Sequence, residues 1–215
     1  MTFSAIYATG QLICKRIINL LGYDIVRFVR YRGAILLKQK HIKNCQVIEN
    51  RTELLRLLPN HAICAEIGIE KGDYSQKIIS ITQPQKFHLI DLSQKYIDAA
   101  KKRFSQIQIS ELIFHVGNLS DIIKGFPERY FDWVYIDTDH TYHTVSRELE
   151  AARLKVKLTG LIILNDYIFY DHQVKSKYGV VEAVNEFCNR YNYEIVYFAL
   201  HEQMFNDVVL KKIAK

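Results

Sequence analysis

Proline is scarce, with three residues in 215, and the chain holds no low-complexity tract and no internal repeat. A disordered or collagen-like chain is therefore not expected. The four cysteines, Cys14, Cys45, Cys64 and Cys188, are scattered, with no C-x-x-C pair and no histidine at zinc-finger spacing. That pattern speaks against a disulfide framework and a closed zinc site, and for reduced thiols in a cytoplasmic protein. No apolar stretch approaches the roughly 18 residues of a membrane span. No small-residue cleavage site follows an apolar core near the N-terminus. Neither spanning nor secretion is expected.

Acidic residues are nearly missing from the first 44 positions. There Lys15, Arg16, Arg27, Arg30, Arg32, Lys38, Lys40 and Lys43 face Asp24 alone, a balance of +7. The remainder has 21 basic against 22 acidic residues, so the net charge of +6 belongs to the N-terminal arm. From about Ile6 to Leu37 the apolar residues recur at helical spacing, broken by Gly22 and Gly33, which predicts two short amphipathic helices. Such helices can pack on the core with their charges solvated, or meet an anionic membrane surface or an acidic substrate. Residues 1–58 are read as a basic helical arm or cap. Residues 59–215 are read as one domain, and 49% hydrophobic against 24% charged residues suits an ordinary globular core.

After Pro59 apolar runs alternate with helical stretches. Strands are predicted at Ala62–Ile69, Phe87–Asp91, Leu112–Val116, Phe131–Asp137 and Gly160–Asp166, and helices at Tyr74–Ile81, Tyr96–Phe104, Leu119–Lys124 and Tyr142–Val156. Strands of this kind imply a parallel sheet covered on both faces. A helix over Val181–Tyr191 then leads to strands Tyr193–Leu200 and Met204–Leu210. Their link, His201-Glu202-Gln203, is too short for a parallel crossover, so the last strand must be antiparallel. The expected fold is α/β, a Rossmann-like doubly wound sheet of seven mostly parallel strands. Ligands of such sheets lie beyond the carboxyl ends of the strands, where strand order reverses. Glu66, Asp91, Asp137, Asp139, Asn165 and Asp166 all fall there.

The segment Glu66-Ile67-Gly68-Ile69-Glu70-Lys71-Gly72-Asp73-Tyr74-Ser75 joins the first strand to its helix. Gly68 and Gly72 allow tight turns beside a ligand, and the helix start offers free N–H groups. Asp91, about twenty residues on, is placed to accept the two hydroxyl hydrogens of a ribose. Because Glu70 stands where a G-x-G-x-x-G loop needs its second glycine, a single-nucleoside cofactor suits the loop better than a dinucleotide. Asp137-Thr138-Asp139 and Asn165-Asp166 bring oxygen ligands to one sheet edge, a set suited to a hard cation such as Mg²⁺.

These motifs resemble those of the class I S-adenosylmethionine-dependent methyltransferases. Glu66-x-Gly68-x-x-x-Gly72 is similar to the first motif of the small metal-dependent O-methyltransferases, the catechol O-methyltransferase type. The series Asp137-Thr138-Asp139-His140, Leu158-Thr159-Gly160, Asn165-Asp166-Tyr167 and Gly179-Val180-Val181-Glu182-Ala183-Val184-Asn185-Glu186-Phe187 is similar to that of bacterial sugar O-methyltransferases. The likeness runs from about Ile63 to the C-terminus and leaves the arm outside. It implies that Glu66, Gly68, Gly72 and Ser75 surround the methionine part of S-adenosylmethionine, with Asp137 beside them. It further implies that Asp91 holds the ribose, that Asn118 faces the adenine edge, and that Asp137, Asn165 and Asp166 bind Mg²⁺. Thr138 stands where the family usually has Gly, and Asn165 where it has Asp, one charge fewer.

Asp139 and His140 compete for the role of base, Asp139 by its place in the family's Asp-x-Asp pair and His140 by its near-neutral titration. Asp139 or Thr141 can also cap the helix that begins near Tyr142. Trp133 is read as core, and the loop Tyr167–Tyr178 as a substrate-binding flap. The leading expectation is a Mg²⁺-dependent O-methyltransferase acting on a hydroxyl of a sugar, glycan or glycosylated natural product. Two alternatives stay open at this point: an RNA methyltransferase that uses the basic arm, and a non-catalytic cofactor-binding scaffold. DNA is not an expected partner, and the sequence leaves a homo-oligomer open.

Overall fold

The computed structural model describes residues 34–107 and 109–214, which belong to a compact unit beginning at Ala34. The helices expected over Ile6–Leu37 lie almost wholly outside the described residues. Eight strands form the main sheet: β1 (Gln46–Ile48), β2 (Ile63–Ile67), β3 (Lys86–Asp91), β4 (Glu111–Val116), β5 (Phe131–Ile136), β6 (Val156–Leu164), β9 (Tyr193–Ala199) and β10 (Asp207–Lys212). A two-stranded hairpin, β7 (Tyr170–Asp171) and β8 (Ser176–Lys177), lies within the expected flap. The helices are α1 (Arg51–Leu55), α2 (Asp73–Thr82), α3 (Gln94–Arg103), α4 (Leu119–Gly125), α5 (Tyr142–Lys155) and α6 (Val180–Tyr191).

The sheet order is β1-β9-β10-β6-β5-β2-β3-β4. Every pairing is parallel except those of β10, which runs antiparallel between β6 and β9. Chain order reverses at β2, which has β3 on one side and β5 on the other. The crevice at their carboxyl ends is where a doubly wound sheet binds ligands.

Alternate residues of the central strands feed two cores, one per face. Ala65, Ile67, Val134, Ile136, Ile162 and Leu164 point to the face covered by Val145, Leu149 and Ala152 of α5 and Val184 and Phe187 of α6. Cys64, Trp133, Tyr135 and Ile163 point to the other, with Leu54 and Leu55 of α1, Ile78 of α2 and Ile97 of α3. Burial on both faces is why these strands read as nearly unbroken apolar runs. Trp133 is fully buried, as its placement in the core requires.

Four details differ from expectation. The sheet has eight strands because β1 pairs with β9 ahead of residue 59. Asn50 then accepts the amides of Thr52 and Glu53, at 2.9 and 3.0 Å, and starts α1. A further correction concerns Val156, which opens β6 instead of closing α5, so that the helix passes straight into its strand. The last strand begins at Asp207, not Met204: Met204 has φ +69° and Asn206 accepts the His201 amide, which makes 201–206 a turn. Finally, Asn165 and Asp166 stand just past the end of β6, outside the ladder.

Candidate active site

The cavity at the carboxyl edge has a volume of about 740 Å³ and is lined by Glu66, Gly68, Asp91, Asn118, Asp137 and Asp139 among others. Its floor is the turn after β2. Gly68 has φ +86°, and a Cβ there would sit 1.8 Å from the Asp137 carbonyl oxygen, so only glycine lets this turn meet the end of β5. The Asp91 carboxylate accepts the Ile69 and Glu70 amides through Oδ2, at 3.0 and 3.2 Å, and the Ser93 amide through Oδ1, at 2.7 Å. The carboxylate thereby fixes the turn and keeps lone pairs for a ligand.

Glu66 is buried, with Ser75 Oγ donating to Oε2. Burial raises its pKa to about 8 against the pull of that hydrogen bond. Ser75 thus supports Glu66 from behind and is not among the cavity-lining residues. Gly72 is also absent from the lining. It starts α2 at φ +75°, with the Phe104 ring 3.2 Å from where a Cβ would be. Asn118 caps α4 through the Asp121 amide at 3.3 Å and lines the cavity.

Beside this cavity the other expected residues gather around one atom. His140 Nε2 lies 3.3 Å from Asn165 Oδ1, 3.4 Å from Asp137 Oδ1 and 3.7 Å from Asp166 Oδ2. His140 and Asp166 hold left-handed backbones, φ +58° and +55°, a strain that concentrates at functional sites. The His140 ring stacks on Tyr178 at 4.6 Å, and the Tyr178 hydroxyl donates to Asp171. Burial on its own would lower the His140 pKa, yet the Asp137 hydrogen bond and the charges of Asp137 and Asp166 raise it. Burial lifts Asp166 to about 7.

Asn165 has a structural reason not to be Asp. Its Nδ2 donates to the buried Asp207 carboxylate at 3.0 Å, which also accepts Tyr135 Oη at 2.7 Å. A carboxylate at 165 would face another with no proton between them. Among the described residues no group of three or more His, Cys, Asp or Glu side chains is arranged to hold a metal ion. The set here is two carboxylates and an amide oxygen around a polarised N–H. Oxygen donors that converge on one position suit a hard cation chemically.

Asp139 is exposed and lines the cavity. Its Oδ1 accepts the Thr141 amide and hydroxyl, at 2.9 and 3.0 Å, and its Oδ2 the Thr144 hydroxyl at 2.9 Å, while Thr141 is the cap residue of α5. His140 is not among the lining residues.

Two of the lining residues that have no counterpart in the expected site, Arg51 and Glu148, are drawn into the interior. Arg51 stacks on Tyr74, 3.9 Å from the ring centre, with Asp137 and Asp207 each 3.9 Å away. Its signal was a basic residue in the first turn of a helix, where the dipole disfavours it. Glu148 is buried, accepts the Thr138 hydroxyl at 2.9 Å through Oε2, and leaves Oε1 without a hydrogen-bond partner. Its signal was an acid three residues after Val145, on the buried stripe of α5.

Residues 65–167 match the family model described as a methyltransferase domain. Over this stretch the chain is similar to that family. No curated protein matches the chain in sequence. Solved structures share the domain's fold. One is a SAM-dependent methyltransferase from Methanosarcina mazei, with 13% identity, a TM-score of 0.61, and coverage of 78% of this chain and 100% of that one. The trans-methyltransferase CalH, in complex with SAH, gives 13%, 0.57, and 75% and 55%. Spermidine synthase, in complex with the transition state analogue AdoDATO, gives 15%, 0.58, and 77% and 59%. This chain therefore spans little more than half of the latter two proteins. At such identities the likeness establishes the fold alone, and the chemistry has to be argued from the site.

Proposed function

We propose that the protein is an S-adenosylmethionine-dependent O-methyltransferase acting on a hydroxyl of a sugar, glycan or glycosylated natural product, with Mg²⁺ as its metal. The observation that carries this reading is a single cavity that runs from the Gly68 turn past Asp91 and Asn118 to Asp137 and Asp139. Cofactor-holding and reacting groups therefore share one space. Asp91 accepts the ribose hydroxyls, Asn118 meets the adenine edge, and Glu66 faces the ammonium of the methionine part. The sulfonium carries its own leaving group, so the protein has to align the acceptor oxygen and take one proton. As the new C–O bond forms, the S–CH₃ bond breaks, its electron pair stays on sulfur, and the hydroxyl proton passes to Asp139. Asp139 takes that role because it reaches the cavity while His140 stays engaged with the acidic cluster. Asp137, Asn165 and Asp166 would hold Mg²⁺, which would supply a lowered pKa at the acceptor hydroxyl.

Calorimetric titration with S-adenosylhomocysteine, followed by transfer of labelled methyl to a panel of sugars and glycosides, tests the reading. Binding together with transfer to a hydroxyl that EDTA abolishes and Mg²⁺ restores is expected. Transfer to nitrogen or carbon acceptors only would overturn the O-methylation assignment.

A further inference from the structure

The methionine part of S-adenosylmethionine bears an ammonium and a carboxylate, and the acids at Glu66 and Asp137 answer only the first. Four Lys or Arg side chains line the cavity: Arg51, Lys71, Lys77 and Arg147. Lys71, Lys77 and Arg147 are exposed, and Lys71 is paired with Glu70 at 3.7 Å. Arg51 alone of the four is drawn below the surface, with its side chain 27% exposed.

Its surroundings hold the guanidinium in place and leave its buried Nε without a hydrogen-bond partner. Asn50 caps the short helix that carries it. Leu54 and Leu55 anchor that helix in the core at 0% exposure. The Arg51 guanidinium lies over the Tyr74 ring, 3.9 Å from its centre, and the Tyr74 hydroxyl donates to the Arg51 carbonyl at 3.1 Å. Both acidic neighbours stand 3.9 Å off, beyond hydrogen-bond range, and the buried Nε has no hydrogen-bond partner. Arg51 therefore presents a positioned guanidinium in the cavity that Gly68 also lines, where a carboxylate can be met by its terminal N–H groups.

We propose that Arg51 is the residue that recognises the cofactor's carboxylate, and that α1 is the element by which the domain tells a full amino-acid tail from a decarboxylated one. The inference rests on the cofactor reading above and adds a specificity determinant from outside the residues 65–167 that match the methyltransferase family. Acceptor carboxylates are a less apt partner, because Arg51 packs on Tyr74 of α2, the helix that follows the Gly68 turn.

The test compares S-adenosylhomocysteine with its decarboxylated analogue, which keeps the adenosine, thioether and amine. Calorimetry is run on the full chain carrying Arg51→Gln and Arg51→Lys, with melting temperature as a fold control. The wild type should prefer S-adenosylhomocysteine. Arg51→Gln should weaken S-adenosylhomocysteine by about 10- to 100-fold, the range for losing a hydrogen bond to a charged group, while the analogue changes by less than about 2-fold. Arg51→Lys, which keeps the charge but loses the fork, should fall between them. Equal losses for both ligands in Arg51→Gln and Arg51→Lys, or no loss for either, would overturn the role of Arg51 while leaving the cofactor reading intact. Failure of the wild type to bind S-adenosylhomocysteine would overturn both.

Discussion

Glu148, midway along α5, and Asp139, just ahead of that helix, are two acids whose surroundings set them to different work. Glu148 is sealed against Thr138, and burial lifts its pKa to about 7. An acid whose folded pKa exceeds its unfolded value binds more protons when folded. Its contribution is thus fully present below about pH 4.5 and is lost as pH rises through 7. Glu148→Gln keeps an acceptor for Thr138 and cannot ionise, so it should stabilise the protein by up to about 3 kcal/mol at pH 8 and change little at pH 4.5. Chemical denaturation at the two pH values reads this. Equal effects at both would mean that the charge is not what burial penalises. Asp139, by contrast, is open to the cavity and braces the turn ahead of α5 by accepting the Thr141 amide and hydroxyl. Asn keeps that acceptor oxygen but cannot take a proton. Asp139→Asn should therefore leave the melting temperature within about 1 °C and the S-adenosylhomocysteine affinity unchanged, and lower kcat by about 10²- to 10⁴-fold. An unaltered kcat would remove Asp139 as the proton acceptor.

Elements that bury two faces announced themselves in the sequence, and elements that bury little did not. Trp133-Val134-Tyr135-Ile136 and Leu161-Ile162-Ile163-Leu164 are apolar without interruption because both faces of their strands are covered. Strand ends were likewise legible, since a polar residue after such a run has nowhere to go but the carboxyl edge. β1 is three residues with an exposed pattern and has no such run, so only its pairing with β9 reveals it. The convergence of Asp137, His140, Asn165 and Asp166 depends on two left-handed residues that no periodicity encodes. Nor did the sequence flag the aromatic corner of β3 and β4. There His88 Nδ1 meets His115 Nε2 at 2.9 Å, His88 Nε2 meets the Tyr130 hydroxyl at 3.2 Å, and Phe126 and Phe131 pack edge-on. Burial, then the neighbouring His115, pushes the His88 pKa down to about 4. A base with a depressed folded pKa binds more protons when unfolded. The sheet edge should therefore keep its full stability above about pH 6.5 and lose up to about 3 kcal/mol as pH falls toward 4. His88→Phe gives up two hydrogen bonds but fits the aromatic setting, and its stability should fall less steeply over that interval. An identical slope in both proteins would place the acid sensitivity elsewhere.

At the scale of the whole molecule, the segment just ahead of the residues that match the methyltransferase family is part of the machine. β1 covers the edge of β9, and α1 puts Leu54 and Leu55 into the core and Arg51 over the cavity. Removing them would expose a strand edge, which invites pairing with another chain, and would empty two fully buried leucine sites. Leucine-to-alanine changes at buried sites cost about 2–5 kcal/mol each, comparable in sum with the whole stability of a domain. A chain beginning at residue 59 should accordingly melt without a cooperative transition or aggregate on expression. Leu54→Ala in the full chain separates the core contribution from the deletion. It should keep a cooperative transition with a melting temperature lowered by about 5–15 °C, and should bind S-adenosylhomocysteine at low temperature. A 59–215 chain that melted cooperatively within a few degrees of the full protein would show that the methyltransferase fold closes its core without α1. The ordered segment ahead of it would then serve the site alone.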